Sequence, residues 1–292
     1  MKPRLVLLAS YPKSGNTWLR LVLNNMLRND DQPVSINDMY ISRYSDRRWL
    51  FDYYAPWPGS DLSDEEIDNL WPDVYRQFNA DGDQPELLKC HSSALTNRKG
   101  ELLFPPEVTK VVLHLVRHPF DVAVSLANHF GWTVEEAVEK MTSLAIIKKE
   151  PESGLSPRLH QHWGNWLQHY TSWRYAARTH HVITMRYEDL LANPYAHFLT
   201  LTRSAVVNFD EQALVKALEG TRFESLQKQE IENGFRERLP QSKQFFRAGR
   251  SGTWQGFLSD TMRQKLIMSF EDAMNHLGYG KMGEIYSNPN FV

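Results

Sequence analysis

Residues 5–9, Leu-Val-Leu-Leu-Ala, form a short apolar run that stops at Ser10-Tyr11-Pro12 and gives way to Lys13-Ser14-Gly15-Asn16-Thr17-Trp18. A helical pattern follows over residues 16–27. No other stretch restricts the fold as strongly, because a buried strand that turns straight into a helix opens a layered α/β structure. Small residues at such a turn let backbone N–H groups converge on an anion, and the helix dipole reinforces them. Lys13 adds a mobile positive charge at the same spot. Taken alone, the Lys-Ser-Gly string fits a bare turn equally well. Lys2 and Arg4 ahead of the apolar run imitate a signal peptide, but the run is too short for one. No stretch approaches the roughly 20 apolar residues that span a bilayer. A soluble, cytoplasmic protein without a membrane span is expected.

Further strands are expected over residues 86–90, 110–116 and 181–185, and helices over 120–130, 134–148, 158–178, 194–204, 211–219 and 260–277. Strands followed by helices predict an α/β fold, with a central, mainly parallel sheet flanked by helices. Such sheets bind ligands beyond the carboxyl ends of their strands. With no internal repeat and no linker, residues 1–292 read as a single domain. Two segments look irregular: 30–59, rich in aromatics, and 227–252, dense in charge. Both are expected on the acceptor side of a site, and 227–246 is expected to be a mobile lid that buries little apolar area.

A formal net charge of −2 gives no global pull toward nucleic acid or anionic membrane. An anion site must therefore be a local concentration of cations and backbone N–H groups. The single cysteine, Cys90, allows neither an intrachain disulfide nor a cysteine-based metal cluster. The strand over 110–116 ends in Arg117-His118-Pro119, where a metal-dependent phosphate enzyme would place a magnesium-holding acid. Pro119 and Asp121 suit a helix start; Arg117 and Ser125 are left over by that reading. In Lys89-Cys90-His91, strand alternation puts Lys89 and His91 on one side and Cys90 on the other.

The octapeptide YPKSGNTW resembles the phosphosulfate-binding loop of the sulfotransferases that use 3′-phosphoadenosine 5′-phosphosulfate (PAPS), with Asn16 where Thr is usual. It is not a Walker A sequence, because it lacks that spacing. The resemblance implies that Lys13, Ser14, Gly15, Asn16 and Thr17 hold the phosphosulfate and that Trp18 stacks on the adenine. RHPFDVAVS is similar to the element whose Arg and Ser hold the 3′-phosphate, which gives that role to Arg117 and Ser125. Arg186-Tyr187-Glu188-Asp189-Leu190 and Thr221-Arg222-Phe223-Glu224 resemble the segments that border the base through Tyr187, Thr221 and Phe223. FRAGRSGTW resembles the element that wraps the 3′-phosphate through Arg247, Ala248 and Gly249. Here Ala248 replaces a usual Lys and Thr253 a usual Asp. Asn165-Trp166 with His169 and Trp173 matches a helical family segment of structural meaning.

The same resemblance implies in-line sulfuryl transfer from PAPS to a hydroxyl or amine of a small acceptor, with His91 as base and Lys13 and Lys89 as electrostatic aids. Cys90 stands where the family has Thr. No metal is expected, and His160/His162 and His180/His181 read as ordinary surface residues. A P-loop-type small-molecule kinase and a noncatalytic PAP- or nucleotide-binding module are the rival readings. The first should carry acids at Arg117, and the second has no reason to keep Lys13 with His91. Tyr40, Tyr44, Trp49, Phe51, Tyr53, Tyr54 and Trp57 fit an apolar acceptor wall, or equally the packing of their segment onto the sheet. The acceptor's identity and the oligomeric state stay open.

Overall fold

Strand β1 (Leu5–Ser10) is buried along its whole length, so it needs partners on both edges and layers on both faces. The computed structural model, which describes residues 2–30, 34–39, 42–143, 148–149, 156–205 and 210–287, supplies both. After helix α1 (Asn16–Arg28) come strand β2 (Ser42–Tyr44), helices α2 (Arg48–Tyr54) and α3 (Asp64–Ala80), and strands β3 (Glu86–Cys90) and β4 (Thr109–Val116). Helices α4 (Pro119–Phe130) and α5 (Val134–Thr142) precede two short strands, β5 (Lys148–Lys149) and β6 (Gln161–His162), which pair antiparallel. Helix α6 (Trp166–Ala176), strand β7 (Val182–Arg186) and helices α7 (Tyr187–Ala192), α8 (Pro194–Ala205), α9 (Glu211–Gly220), α10 (Phe223–Asn233) and α11 (Asp260–Leu277) complete the chain. The main sheet has the order β2-β3-β1-β4-β7. All its neighbours pair parallel, so all five carboxyl ends share one edge.

Period-2 alternation divides the core in two. Leu5, Leu7, Ala9, Leu88, Cys90 and Val112 pack with Trp71, Tyr75 and Phe78 of α3 and Trp173 of α6. Val6, Leu8, Leu87, Val111, Leu113 and Leu115 meet α1, α8 and α9 on the other face. Truncating Leu7 or Leu8 to Ala would cost about 2–5 kcal/mol through lost burial and the cavity left behind.

Several expected boundaries are corrected. The helix expected over 158–178 starts only at Trp166, because Asn165 and Gln168 form a capping box and Gly164 sits at φ 63°. The helix expected over 134–148 ends at Thr142; residues 144–147 lie outside the described residues. Helix α3 was not expected. Its Ser63/Glu66 capping box is plain in the sequence, but Pro72 inside it hides the periodicity. Helix α2 falls within the segment expected to be irregular, and α10 claims residues 227–233.

The remainder of the charged segment also buries more apolar area than its charge suggested. Phe235 and Phe246 pack against Leu21, Ile36 and Leu226. Glu230, buried, accepts hydrogen bonds from the backbone N–H groups of Phe245 (2.7 Å) and Phe246 (2.8 Å).

Candidate active site

The carboxyl edge of the sheet opens into a cavity of about 690 Å³. Every strand end contributes to it. After β1, the chain turns through Lys13 at φ 69° and Gly15 at φ 101° before α1 begins. A Cβ on Gly15 would lie 2.4 Å from the Tyr187 ring, so only glycine fits. The Asn16 amide donates to the Leu8 carbonyl (2.8 Å) and the Ser10 hydroxyl (3.2 Å), pinning the turn to its strand. The Ser14 hydroxyl is buried without a hydrogen-bond partner among the described residues. The first N–H groups of α1 have no partner within the helix.

Strand register brings the remaining groups together. Ala9 pairs with Cys90, which sets Ser10 beside His91. His91 Nδ1 lies 2.8 Å from the Ser10 carbonyl oxygen. That oxygen can only accept, so Nδ1 carries the proton and Nε2 keeps its lone pair. Burial first, then the Lys89 charge, holds the imidazole well below its ordinary pKa, so the ring is a neutral base. Tyr44 pairs with Lys89, whose ammonium sits 4.6 Å from the Tyr44 ring centre. Val116 pairs with Arg186, which places Arg117 4.5 Å over the Tyr187 ring.

The cations here are under strain. Burial, then Lys89 and Arg117, pushes the Lys13 ammonium down to about 7. It rests 3.8 Å from the Phe245 ring centre. Burial also lowers Lys89, to about 8, although Glu237 opposes the shift. Arg117 donates to the carbonyls of Lys13 (3.3 Å) and Arg250 (3.2 Å), and its buried Nε has no partner among the described residues. Unmatched buried charge and unpaired donors are costly. A bound anion relieves both.

Asp121 does more than favour a helix start. Its carboxylate accepts from the backbone N–H of Gly252 (2.8 Å) and Trp254 (3.0 Å) and from the Thr253 hydroxyl (2.8 Å). Arg247 reaches the same hydroxyl at 3.1 Å. An Asp at position 253 would face Asp121, so Thr is the residue that joins acid to guanidinium. Gly249 takes φ 60°, and a Cβ there would lie 2.2 Å from the Phe223 ring. Trp18 meets Tyr187 edge-on at 6.1 Å. The Thr221 hydroxyl donates to the Ala217 carbonyl at 2.7 Å, ending α9.

Lys13, Gly15, Asn16, Thr17, Trp18, Lys89, His91, Arg117, Ser125, Tyr187, Thr221, Phe223, Arg247, Ala248 and Gly249 thus line one cavity, with Ser14 buried beneath the turn. Cys90 points into the core as alternation required. Of the aromatics expected as an acceptor wall, only Tyr44 among the described ones lines this cavity. Phe51 is core, Trp57 is exposed, and Tyr40 lies outside the described residues. Phe130, Arg158, Gln161, Trp163 and Phe245 line the cavity as well. A helix over 158–178 hides Arg158, Gln161 and Trp163, which reach the cavity because α6 begins only at Trp166.

In the sequence Glu237 is one charge among many in the segment 227–252. It accepts from Arg20 (2.8 Å) and Lys89 (3.0 Å), and those cations outweigh burial to hold its carboxyl well below the usual range. Nor are His160 and His180 surface residues. Both are buried, and His180 Nε2 donates to the Phe104 carbonyl at 2.8 Å.

The cation-lined crevice lies beyond the carboxyl ends of a parallel sheet, where α/β proteins bind their ligands. Residues 3–278 match the family model described as the sulfotransferase domain. The chain belongs to the sulfotransferase family, and it is a sulfotransferase enzyme. It is 23% identical to dog sulfotransferase 1B1 over 282 residues, covering 94% of this chain and 84% of the relative. It is also 23% identical to human sulfotransferase 1C2 over 279 residues, covering 90% and 81%. Its fold is similar to that of a mouse sulfotransferase complexed with PAP (TM-score 0.58, 16% identity, 94% of this chain and 84% of that one). A retinol dehydratase in complex with androsterone and PAP is similar too (TM-score 0.62, 17% identity, 100% and 84%). Among the described residues, no helix is long and apolar enough to cross a membrane.

Proposed function

We propose that this sulfotransferase takes its sulfuryl group from PAPS and transfers it to the hydroxyl, or amine, of a small hydrophobic or aromatic acceptor, with His91 as base. The observation that carries this reading is the shared cavity of Lys13 and His91, one an under-neutralised cation and the other a neutral imidazole with Nε2 as its acceptor nitrogen. The orphaned Ser14 hydroxyl and Arg117 Nε support the fit of an anionic nucleotide.

When bound, PAPS supplies a sulfuryl group that passes in line to the acceptor oxygen as PAP departs. Lys13, Ser14, Gly15, Asn16 and Thr17 orient its phosphosulfate, and Lys13 balances charge on the leaving side. Arg117, Ser125, Arg247, Ala248 and Gly249 surround the 3′-phosphate, while Trp18, Tyr187, Thr221 and Phe223 enclose the base. His91 accepts the acceptor's proton at Nε2, and its Nδ1–H bond to Ser10 keeps the ring in the right tautomer. Lys89, tethered by Glu237, adds charge beside it. The aromatic wall excludes water.

Retinol and androsterone, named with the retinol dehydratase structures, are apolar molecules, and the wall of Phe130, Trp163 and Phe245 suits that kind of acceptor. A kinase reading is disfavoured by Arg117 at the end of β4. A purely binding module has no use for His91 in this tautomer. The single buried thiol fits a cytoplasmic setting. A panel of phenols, hydrophobic alcohols, amines and sugars, assayed with PAPS, tests the acceptor class. Phenols and hydrophobic alcohols should react fastest; preference for sugars would overturn it.

A further inference from the structure

On the far side of the acceptor wall, two histidines and two aspartates converge. Asp64 and Asp68 lie one turn apart on α3, so they share a face. The extended segment opposite them alternates. Gln161 and Trp163 line the cavity, while His160 and His162 meet α3. His160 is buried with both ring nitrogens on carboxylates: Nδ1 is 3.0 Å from Asp64 Oδ1, and Nε2 is 2.8 Å from Asp68 Oδ1. His162 Nε2 is 2.8 Å from the other Asp68 oxygen. The donor atoms of Asp68, His160 and His162 all lie within 4.8 Å of one another.

Neutral imidazole has one N–H, so it cannot donate to both Asp64 and Asp68. One arrangement leaves Nε2 hydrogen-bonded to Asp68 with Asp64 merely in contact with Nδ1, and a second puts a cation between Nε2 and Asp68. The second arrangement is a familiar one in physical terms. A carboxylate on Nδ1 fixes the tautomer, raises the basicity of Nε2 and turns its lone pair toward a metal. Two imidazoles two residues apart, at the start of β6, plus a carboxylate from a helix, make a mixed N/O donor set suited to zinc and its first-row neighbours. Zinc bonds of about 2.0–2.1 Å put tetrahedral donors roughly 3.3 Å apart, so the 2.8 Å contacts must open by about half an ångström and donor pairs lying out to 4.8 Å must draw in.

We propose that Asp68, His160 and His162 bind one divalent transition-metal ion, zinc foremost, with Asp64 as the positioning carboxylate and a water as the fourth ligand. The ion takes the place of the hydrogen bonds between Asp68 and the two rings, each ring presenting its Nε2 lone pair and keeping its one proton on Nδ1, which in His160 faces Asp64. Because the ligands face away from the cavity, the ion fastens α3 to the segment that carries Arg158, Gln161 and Trp163. It braces the acceptor wall and takes no part in group transfer.

Chelator-stripped full-length protein titrated with zinc chloride in a calorimeter, and with cobalt chloride followed by visible absorption, tests this directly. One ion per chain, with a micromolar or tighter Kd and a tetrahedral cobalt spectrum, is the expected result. His162→Ala and Asp68→Asn should each weaken zinc by 100-fold or more, and Asp64→Asn by about 10- to 100-fold, the usual range for an outer-shell partner. Zinc should raise the melting temperature of the wild type and not of His162→Ala, whose fold is checked by circular dichroism. Absence of 1:1 binding to the wild type overturns the proposal whatever the variants do. So does binding that survives in both His162→Ala and Asp68→Asn, since the ion would then sit elsewhere.

Discussion

Arg117→Ala should separate recognition of the 3′-phosphate from recognition of the rest of the nucleotide. A guanidinium has five N–H donors. In this structure two go to carbonyls at 3.2 and 3.3 Å, and the buried Nε has no partner among the described residues. Arg117 lines the cavity and meets Asp121 only at 3.9 Å, which leaves its guanidinium able to make a phosphate contact of the charge-assisted kind, worth about 1.5–3 kcal/mol. Loss of that contact weakens PAP by about 10- to 150-fold. The same side chain also steadies the Lys13 turn and packs on Tyr187, so adenosine 5′-phosphosulfate, which has no 3′-phosphate, should lose a few-fold as well. The ratio of the two losses isolates the 3′-phosphate, and it should be at least about tenfold. Arg117→Lys keeps the charge without the fork and should recover only part of it. Calorimetry with both ligands on all three proteins gives the numbers. Equal losses for the two ligands would refute the assignment of Arg117.

His91→Ala should lower kcat by roughly 10²-fold or more while PAP affinity stays within about twofold; sulfation near the wild-type rate would remove His91 as base. PAP binding should take up protons, because Lys13 at about 7 and Lys89 at about 8 are partly neutral in the free protein and an anion raises both. Affinity should therefore fall as pH rises through and above those values, approaching tenfold per unit for each lysine, and calorimetry in buffers of different ionisation enthalpy should show the uptake. A flat affinity from about pH 7.5 to 9.5 would contradict it. Residues 227–246 hang on Glu237 and a small aromatic cluster. Hydrogen exchange there should slow when PAP fixes the following Arg247–Gly249 stretch, and unchanged exchange would leave the lid without support.

The strands and the site turns were legible because they are local. A period of two, a β-branched run and a strand ending in Lys-Ser-Gly or Arg-His-Pro can be read within ten residues. The groups that complete the site are not local. Glu237 reaches Lys89 and Arg20 across the cavity, a pairing that follows from tertiary packing alone. Helix α3 was hidden by Pro72, although its capping box stood in plain view. Residues 158–165 carry helix-forming neighbours, and only Gly164-Asn165 marks the break that frees Arg158, Gln161 and Trp163 to line the cavity. That single misread boundary also concealed the alternation that sets His160 and His162 against α3. Asp121 illustrates the same limit: its helix-start role is in the sequence, while its hold on Gly252–Trp254 is not.

The most direct test of sulfuryl transfer is a pair of parallel incubations with a phenolic acceptor, one with sulfur-labelled PAPS and one with γ-phosphorus-labelled ATP and magnesium. Label should pass to the acceptor from PAPS alone, and Lys13→Ala together with His91→Ala should abolish it. Transfer of phosphorus from ATP, or tight PAP binding with no sulfur transferred to any acceptor tried, would contradict the assignment.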